Sequence, residues 1–417
     1  MVDRFPSGVS RYDFLDELSR LERASRFDQT ERNYFDEGPH LISSSDLPWG
    51  DEVRHLSVAA YERFIHGETW ITGGGAREME REIVSWMGGL LGSVDPAGFL
   101  TSGGSESNMC AILTAKQRAG RTGGSVVFPD NGHYSLHKLC RMFDLEPIAV
   151  PAPSGHLDRV DPTAIEAAIR PDTIAIVATA GTWAYGSVDP IAEIGAIAQR
   201  HDLYLHVDGA FGGYILPFLE LGGYPAEIPR WDFRVPGVCS ISADLHKNGM
   251  APPPASTLFF RESGLLDLAK EICPPNGTIS GTRGTGPIAG AWAMYRLLGT
   301  PGYVEVARKT MSLRDEIVRG AEAIPGLQVH PGSLINMTLI HSTQVDLRPV
   351  VDALRAAGWM FAVRAVPGPA SIVLAPMPHN EGQAPGFLAD LAAAVAVAPA
   401  LTGSEAVGAE KVSSYGF

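Results

Sequence analysis

The chain has 417 residues, 45% of them hydrophobic and 19% charged, with a formal net charge of −14 at pH 7. That length suits one large domain with a smaller companion, and the composition is that of a folded globular chain. The acidic balance, with no cluster of Lys or Arg, argues against nucleic acid or an anionic membrane as a partner.

Residues 1–50 are expected to form an N-terminal arm, charged at first and then broken by Gly38-Pro39 and Ser43-Ser44-Ser45. Met1–Arg32 has no apolar core of the signal-peptide kind, and the apolar stretch Leu388–Leu401 is too short to span a bilayer, so a cytoplasmic location is expected. Helical patterns follow at 52–66 and 76–91. From there short apolar runs alternate with helical segments. Strands are expected at Gly98–Thr101, Ser125–Phe128, Pro147–Val150, Ile174–Thr179, Leu203–Val207, Val238–Ser242 and Thr257–Phe260. Helices are expected near 105–119, 133–143, 162–169 and 190–201. This alternation predicts an α/β fold with a mostly parallel, seven-stranded sheet in a large domain spanning 51–298. Such sheets bind ligands at the carboxyl ends of their strands. Long helical patterns begin near Pro287 and Tyr303. Residues 299–401 read as a small α+β C-terminal domain with strands at Ser333–His341 and Ser371–Ala375, and 402–417 as a poorly ordered tail. Cys110, Cys140, Cys239 and Cys273 are widely spaced and show no metal-ligand pairing; they read as free thiols, and no metal is expected.

Two strand ends carry the strongest chemical signal. His206-Val207-Asp208-Gly209-Ala210 puts an Asp at the end of one apolar run, and Ser240–Lys247 puts His246-Lys247 after another. A lysine amine that forms a Schiff base, with a carboxylate that pairs with a protonated pyridine nitrogen, is the equipment for holding pyridoxal 5'-phosphate. Lysine is scarce, occurring only at 116, 138, 247, 270, 309 and 411, which argues against a random surface cation at Lys247. The bland alternative is a lysine snorkelling from a strand end.

Four further segments fall in a suggestive order. Thr101–Asn108 follows a strand and opens a helix; Gly103, Gly104 and Ser105 would admit a phosphate to the free N–H groups of the helix start, or would form an ordinary capped turn. His133, before a helix, could stack on a pyridine ring and assist proton transfer, or could simply cap. Thr182 could reach a ring hydroxyl or a substrate carboxylate, or could satisfy its own loop. Asn276–Gly284 is a polar, glycine-rich loop that could close over the site, with Arg283 able to pair with a carboxylate, or could be a solvated loop.

Together these segments resemble the group II pyridoxal-phosphate-dependent decarboxylases of fold type I, especially the archaeal-type tyrosine/aspartate decarboxylases and the related sphingosine-phosphate lyases. The resemblance runs from about Ser43 into the second domain. It rests on Gly75–Glu80, Thr101–Asn108, His133–Ser135, Leu205–Gly213, Ser240–Pro252 and Gly281–Arg283. It implies the fold type I, transferase-like architecture and pyridoxal phosphate as cofactor. It implies Lys247 as the Schiff-base lysine, Asp208 as partner of the ring nitrogen, and His133 and Ala210 on opposite ring faces. It implies Gly103, Gly104, Ser105, Ser242 and His246 on the phosphate side, Thr182 near the ring hydroxyl or substrate, and a homodimer in which Gly281 and Thr282 serve the neighbouring site.

The expected activity is decarboxylation of an L-amino acid or an amino-acid-like intermediate through an external aldimine, giving an amine. Three alternatives stand beside it: a retro-aldol carbon–carbon lyase, decarboxylation coupled to oxidative deamination giving an aldehyde, and a catalytically silent relative. The intact Lys247, Asp208 and His133 argue against the last. Trp183, Tyr185, Gly209, Leu245 and Asn248 depart from the family's usual residues and bear on the substrate. Arg77, His66, Trp70 and Arg283 are candidate pocket residues.

Overall fold

Short, continuously apolar runs become buried strands because a sheet covered on both faces offers no wet side for alternation. The computed structural model describes residues 51–67, 74–153, 159–364 and 370–401. The expected arm, the tail and Trp70 lie outside these. Seven strands form one sheet: β1 (Ala97–Thr101), β2 (Ser125–Pro129), β3 (Glu146–Val150), β4 (Thr173–Thr179), β5 (Tyr204–Asp208), β6 (Val238–Ala243) and β7 (Ser256–Phe260). Their order is β1-β7-β6-β5-β4-β2-β3. β7 runs antiparallel to both neighbours, and the other pairings are parallel. All seven residues of β4 are buried, whereas β3, at the sheet edge, leaves Glu146 and Ala149 exposed.

The helices of this part are α1 (Asp51–Arg63), α2 (Gly74–Leu90), α3 (Gly104–Ala119), α4 (Ser135–Met142), α5 (Pro162–Ala167), α6 (Ile191–Arg200), α7 (Leu216–Leu221) and α8 (Ser263–Ile272). One side of the sheet packs on α2, α6 and α7, the other on α3, α4 and α8. Asp161 caps α5 by accepting from Thr163 N at 2.9 Å, ahead of Pro162 in the first turn.

The two helical patterns expected near Pro287 and Tyr303 fuse into one long helix, α9 (Thr285–Glu322), kinked at Gly299 (φ 54°, ψ −175°) with Pro301 just beyond. Glycine tolerates the positive φ, and proline has no N–H to continue the hydrogen-bond ladder. The kink falls at the expected domain boundary, but chain beyond it still serves the large sheet's core. Tyr303 stacks on Phe218 with ring centroids 4.9 Å apart and donates to Gly249 O at 2.8 Å. A second, antiparallel sheet has the order β10-β11-β9-β8, from β8 (Gln328–Val329), β9 (Thr338–His341), β10 (Ala362–Arg364) and β11 (Ser371–Leu374). It shares a core with α10 (Leu347–Ala356), α11 (Ala384–Val397) and the α9 residues from Leu313 onward. Among the described residues no helix is long and apolar enough to cross a membrane.

Candidate active site

The register of the large sheet sets the site. β5 ends at Asp208, which pairs across the strands with Ser242 of β6. The chain then turns through Asp244–Met250, held by His246 N to Ala255 O at 2.9 Å and Ala251 N to Leu245 O at 2.8 Å. Lys247 ends up with its Nζ 3.8 Å from the Phe211 ring centroid and 3.0 Å from Asp244 Oδ2. Asp208 is buried one strand away with partners of its own. Its Oδ2 accepts from Asn108 Nδ2 at 2.8 Å, and its Oδ1 accepts from Ala210 N at 3.1 Å and Ser242 Oγ at 3.3 Å. The single Ser242 hydroxyl proton is shared between Asp208 Oδ1 and Asn108 Oδ1, the latter at 3.1 Å, so its hydroxyl sits beside Asp208.

Asn108 orders this network. Its amide N–H groups go to Asp208 and to Ser135 Oγ (3.2 Å), so its oxygen must accept from His206 Nε2 (2.9 Å) as well as from Ser242. His206 therefore carries its proton on Nε2, and Nδ1 accepts from Ser240 Oγ at 2.8 Å. Ser135 accepts from Asn108, so its hydroxyl proton is free to donate to His133 Nδ1 at 2.8 Å, and Ser135 N approaches the same nitrogen at 3.2 Å. The His133 proton is thereby assigned to Nε2.

The charges follow from these contacts. Burial alone would push the Asp208 carboxyl up, but His133, the Asn108 amide, His206 and the Ala210 N–H outweigh it and hold it below the usual carboxylate range. Burial lowers His133, with Lys247 acting the same way and Asp208 and Asp244 opposing, so the ring is neutral at pH 7. Burial also holds His206 down to about 4 against the pull of Asp208.

At the glycine turn, α3 begins at Gly104 with no side chain capping it. Its first-turn Glu106 instead reaches back and accepts from both Ser102 N and Ser102 Oγ at 2.7 Å. A Cβ on Gly104 would come 3.0 Å from Asp244 Oδ1 and 3.1 Å from Ala210 Cβ, and one on Gly103 would lie 3.5 Å from His246 Cε1. Ser105 sits at the same helix start, half-buried. The ring of His246 is fixed by Nδ1 against Ala255 O at 2.6 Å.

Other expected residues have different surroundings. The Thr182 hydroxyl is buried against Ser187 Oγ at 2.6 Å, inside its own loop. Arg283 bonds Glu80 Oε1 at 2.5 Å and Leu100 O at 2.6 Å, which leaves its Nη1 engaged in the fold. Gly281 and Thr282 are exposed, on a segment anchored by Ser280 N to Glu106 Oε1 at 3.2 Å. Arg77 and His66 are exposed as well.

Sequence reasoning passed over Asn108, Ser135, Asp244, Phe211 and Arg364. The first four lie inside or beside motifs already singled out, and an acid three residues before a strand-end lysine was a usable signal. Arg364 had none. It reaches from β10 to Trp183 O (Nη1, 3.4 Å), and its Cζ lies 4.6 Å from the Tyr185 ring centroid. Trp183 in turn stacks on Phe211, centroids 5.6 Å apart. Ala184 between the two aromatics is held at φ 71°, a strained value for alanine.

These residues fit pyridoxal phosphate. The amine, the ionised carboxylate and the neutral imidazole converge, and an uncapped helix start opens beside them. Space that a side chain would fill is kept at Gly104, and Asp244 Oδ1 is buried without a hydrogen-bond partner among the described residues. A family model described as the pyridoxal-dependent decarboxylase conserved domain matches residues 67–323. The chain is 34% identical over 371 residues to an L-aspartate decarboxylase of Thermococcus kodakarensis, covering 87% of this chain and 92% of that one. It is 35% identical over 348 residues to a probable L-tyrosine/L-aspartate decarboxylase of Methanothrix thermoacetophila, covering 81% and 86%. Among solved structures, a sphingosine-1-phosphate lyase of Burkholderia pseudomallei superposes with TM-score 0.84 at 29% identity, over 95% of this chain and 93% of that one. A Lactobacillus brevis glutamate decarboxylase, at TM-score 0.78 and 21% identity over 94% of each chain, shares the fold.

Proposed function

The chain belongs to the pyridoxal-dependent decarboxylase family, with pyridoxal phosphate as its cofactor, and from that premise we propose that Lys247, Asp208 and His133 carry the decarboxylation of a polar-ended L-amino acid. The observation that supports these roles best is the convergence of the Lys247 amine and the Asn108-ordered Asp208–His133 network on one edge of the sheet. Bound there, the cofactor supplies an aldehyde that condenses with amines and a ring that draws in the electrons of the broken bond. Lys247 Nζ anchors it. Asp208, kept ionised by its four donors and neighbours, holds a proton at the ring nitrogen. His133 and Ala210 would hold the two faces of the ring. With its proton on Nε2 and Nδ1 held by Ser135, the neutral His133 would orient groups over the ring, and the Lys247 amine, released when a substrate amine takes its place, would supply the proton to the α-carbon. Gly103, Gly104 and Ser105 receive the phosphate at the α3 start, with His246 beside them. The Trp183–Phe211 wall and Arg364 form the side-chain pocket.

L-Aspartate and L-tyrosine, named for the relatives, are the substrates to try first. Carbon dioxide release from a panel of amino acids, with parallel peroxide and aldehyde assays, tests the reading. Arg364→Gln is expected to lower kcat/KM for aspartate about tenfold more than for tyrosine, the loss of one charged contact. The carbon–carbon lyase reading draws on the 0.84 superposition with the lyase; it prevails if a β-hydroxy amine yields an aldehyde while no amino acid yields carbon dioxide. We also propose a cytoplasmic homodimer in which the exposed Gly281 and Thr282 reach the partner's site. Light scattering, together with activity recovered on mixing a Lys247 variant with a Thr282 variant, tests that arrangement.

A further inference from the structure

The carboxylate nearest the reacting amine is not Asp208. Asp244 Oδ2 lies 3.0 Å from Lys247 Nζ and 3.7 Å from His246 Nε2. Its side chain is only 2% exposed, against 18% for Lys247. Its Oδ1 is buried without a hydrogen-bond partner among the described residues and borders the space kept open at Gly104. A buried carboxylate that leaves one oxygen unsatisfied carries a desolvation cost that packing does not return. Asp208, by contrast, spends both oxygens on the Asn108 network. The two acids therefore have separable duties.

We propose that Asp244 is a second catalytic carboxylate, the counter-ion of the Lys247 amine and the acceptor of the proton that this amine sheds when it acts as a nucleophile. This rests on Lys247 being the anchoring lysine. The bookkeeping closes with groups already named. The ammonium passes one proton to Asp244 Oδ2, and the freed lone pair bonds to the aldehyde carbon. A second N–H proton moves to the former carbonyl oxygen. Asp244 then returns its proton to that oxygen, which leaves as water. A carbon–nitrogen double bond remains, carrying one proton and one positive charge, with ionised Asp244 beside it. The same exchange runs in reverse each time a substrate amine displaces Lys247. The other titratable groups around the pair are His133 before α4, Asp208 at the end of β5, His246 in the same turn, and Tyr214, whose ionisation is opposed by the Asp244 charge after that of burial.

The test uses the full-length holoenzyme and reads visible absorbance against pH. In Asp244→Asn the protonated double bond loses its counter-ion, so the pH midpoint of the colour change is expected to fall by about one unit or more. Asp244→Glu, which restores the charge, is expected to stay within a few tenths of the parent. Uptake of added pyridoxal phosphate by the cofactor-stripped Asp244→Asn chain is followed in parallel and is expected to slow at least tenfold, because the proton relay is missing. A folded Asp244→Asn protein with an unmoved midpoint and a parental uptake rate overturns the proposal. If Asp244→Asn does not fold, Asp244→Ser, which also removes the charge, decides: a folded protein with a parental midpoint and a parental uptake rate also overturns it. Borohydride trapping separates the two levels, since failure to label Lys247 in the parent protein removes the anchoring role itself.

Discussion

The ends of β5 and β6 and the glycine-rich segment 276–284 both depend on buried carboxylates, but they are held differently. At the strand ends, sheet register places Asp208 opposite Ser242, and three donors share the load of satisfying it. The glycine-rich segment has no ladder. It is tied down by Glu80 to Arg283 across 203 residues of sequence and by Glu106 to Ser280 across 174. The first region shares its load among several donors; the second leans chiefly on the carboxylates of Glu80 and Glu106. A loss of charge should therefore hurt chemistry at the first and integrity at the second.

The sharpest separation is expected from Asp208→Asn. The isostere keeps the shape and removes the charge that balances a ring proton, so kcat should fall on the order of 10³-fold, while the new amide NH2 meeting donors where the carboxylate accepted costs about 1–3 kcal/mol of stability. A fall below tenfold would mean that Asp208 is structural. Arg283→Ala should weigh on stability instead. Removing one partner of a nearly buried pair strands Glu80 and costs about 3 kcal/mol of stability in urea unfolding. The visible band of the surviving folded protein should persist, and its loss at low urea would merge the two regions into one unit.

Acid should weaken the strand-end network specifically. His206 is held down to about 4 by burial, with Asp208 opposing, from 6.5 in the unfolded chain. Between these values the unfolded chain binds a proton that the folded chain refuses, so stability falls as pH drops from about 6.5 toward 4. Asp208, held low by His133 and Asn108 against burial, extends the loss in the same direction at lower pH. The His206 contribution alone is on the order of 3 kcal/mol. Urea midpoints at pH 7, 5.5 and 4.5 measure it, and His206→Gln should flatten the slope. Asn108→Ala removes the hub and takes a partner from four buried groups, Asp208, Ser135, His206 and Ser242, for about 2 kcal/mol. Its own signature is a change in the His133 nitrogen shifts seen by NMR, because Ser135 is then free to turn.

The difference between the regions also explains what could be read from the sequence. β1 to β7 were legible to within a residue or two because apolar runs such as Thr173–Thr179 repeat what a doubly covered sheet requires. Asp208 was legible as a candidate because it ends such a run, and Lys247 because it follows one by four residues. β8 and β10 were not, being two and three residues long with half-exposed side chains and no period to detect. The Glu80–Arg283 and Lys247–Asp244 pairs were missed for different reasons. The first joins distant segments that only the fold brings together. The second lies within one irregular turn, where a three-residue spacing does not by itself say that the two side chains meet.

Thr182 gives the finest test of the contrast, because it stands three residues past the end of β4, beside the end of β5, and yet its hydroxyl faces its own loop. It shares a proton with Ser187 Oγ at 2.6 Å, and its oxygen also lies 3.2 Å from Ser187 N. Valine keeps the branched shape and deletes the oxygen, which leaves the buried Ser187 hydroxyl short of one partner, at about 1 kcal/mol. Cofactor affinity measured by fluorescence titration should stay within about twofold of the parent, since a shift of a few tenths of a kcal/mol is all that a relaxed loop transmits. A tenfold weaker affinity at unchanged stability would instead put the Thr182 hydroxyl on the cofactor, and β4 would then join β5 and β6 as a third strand whose end does chemistry.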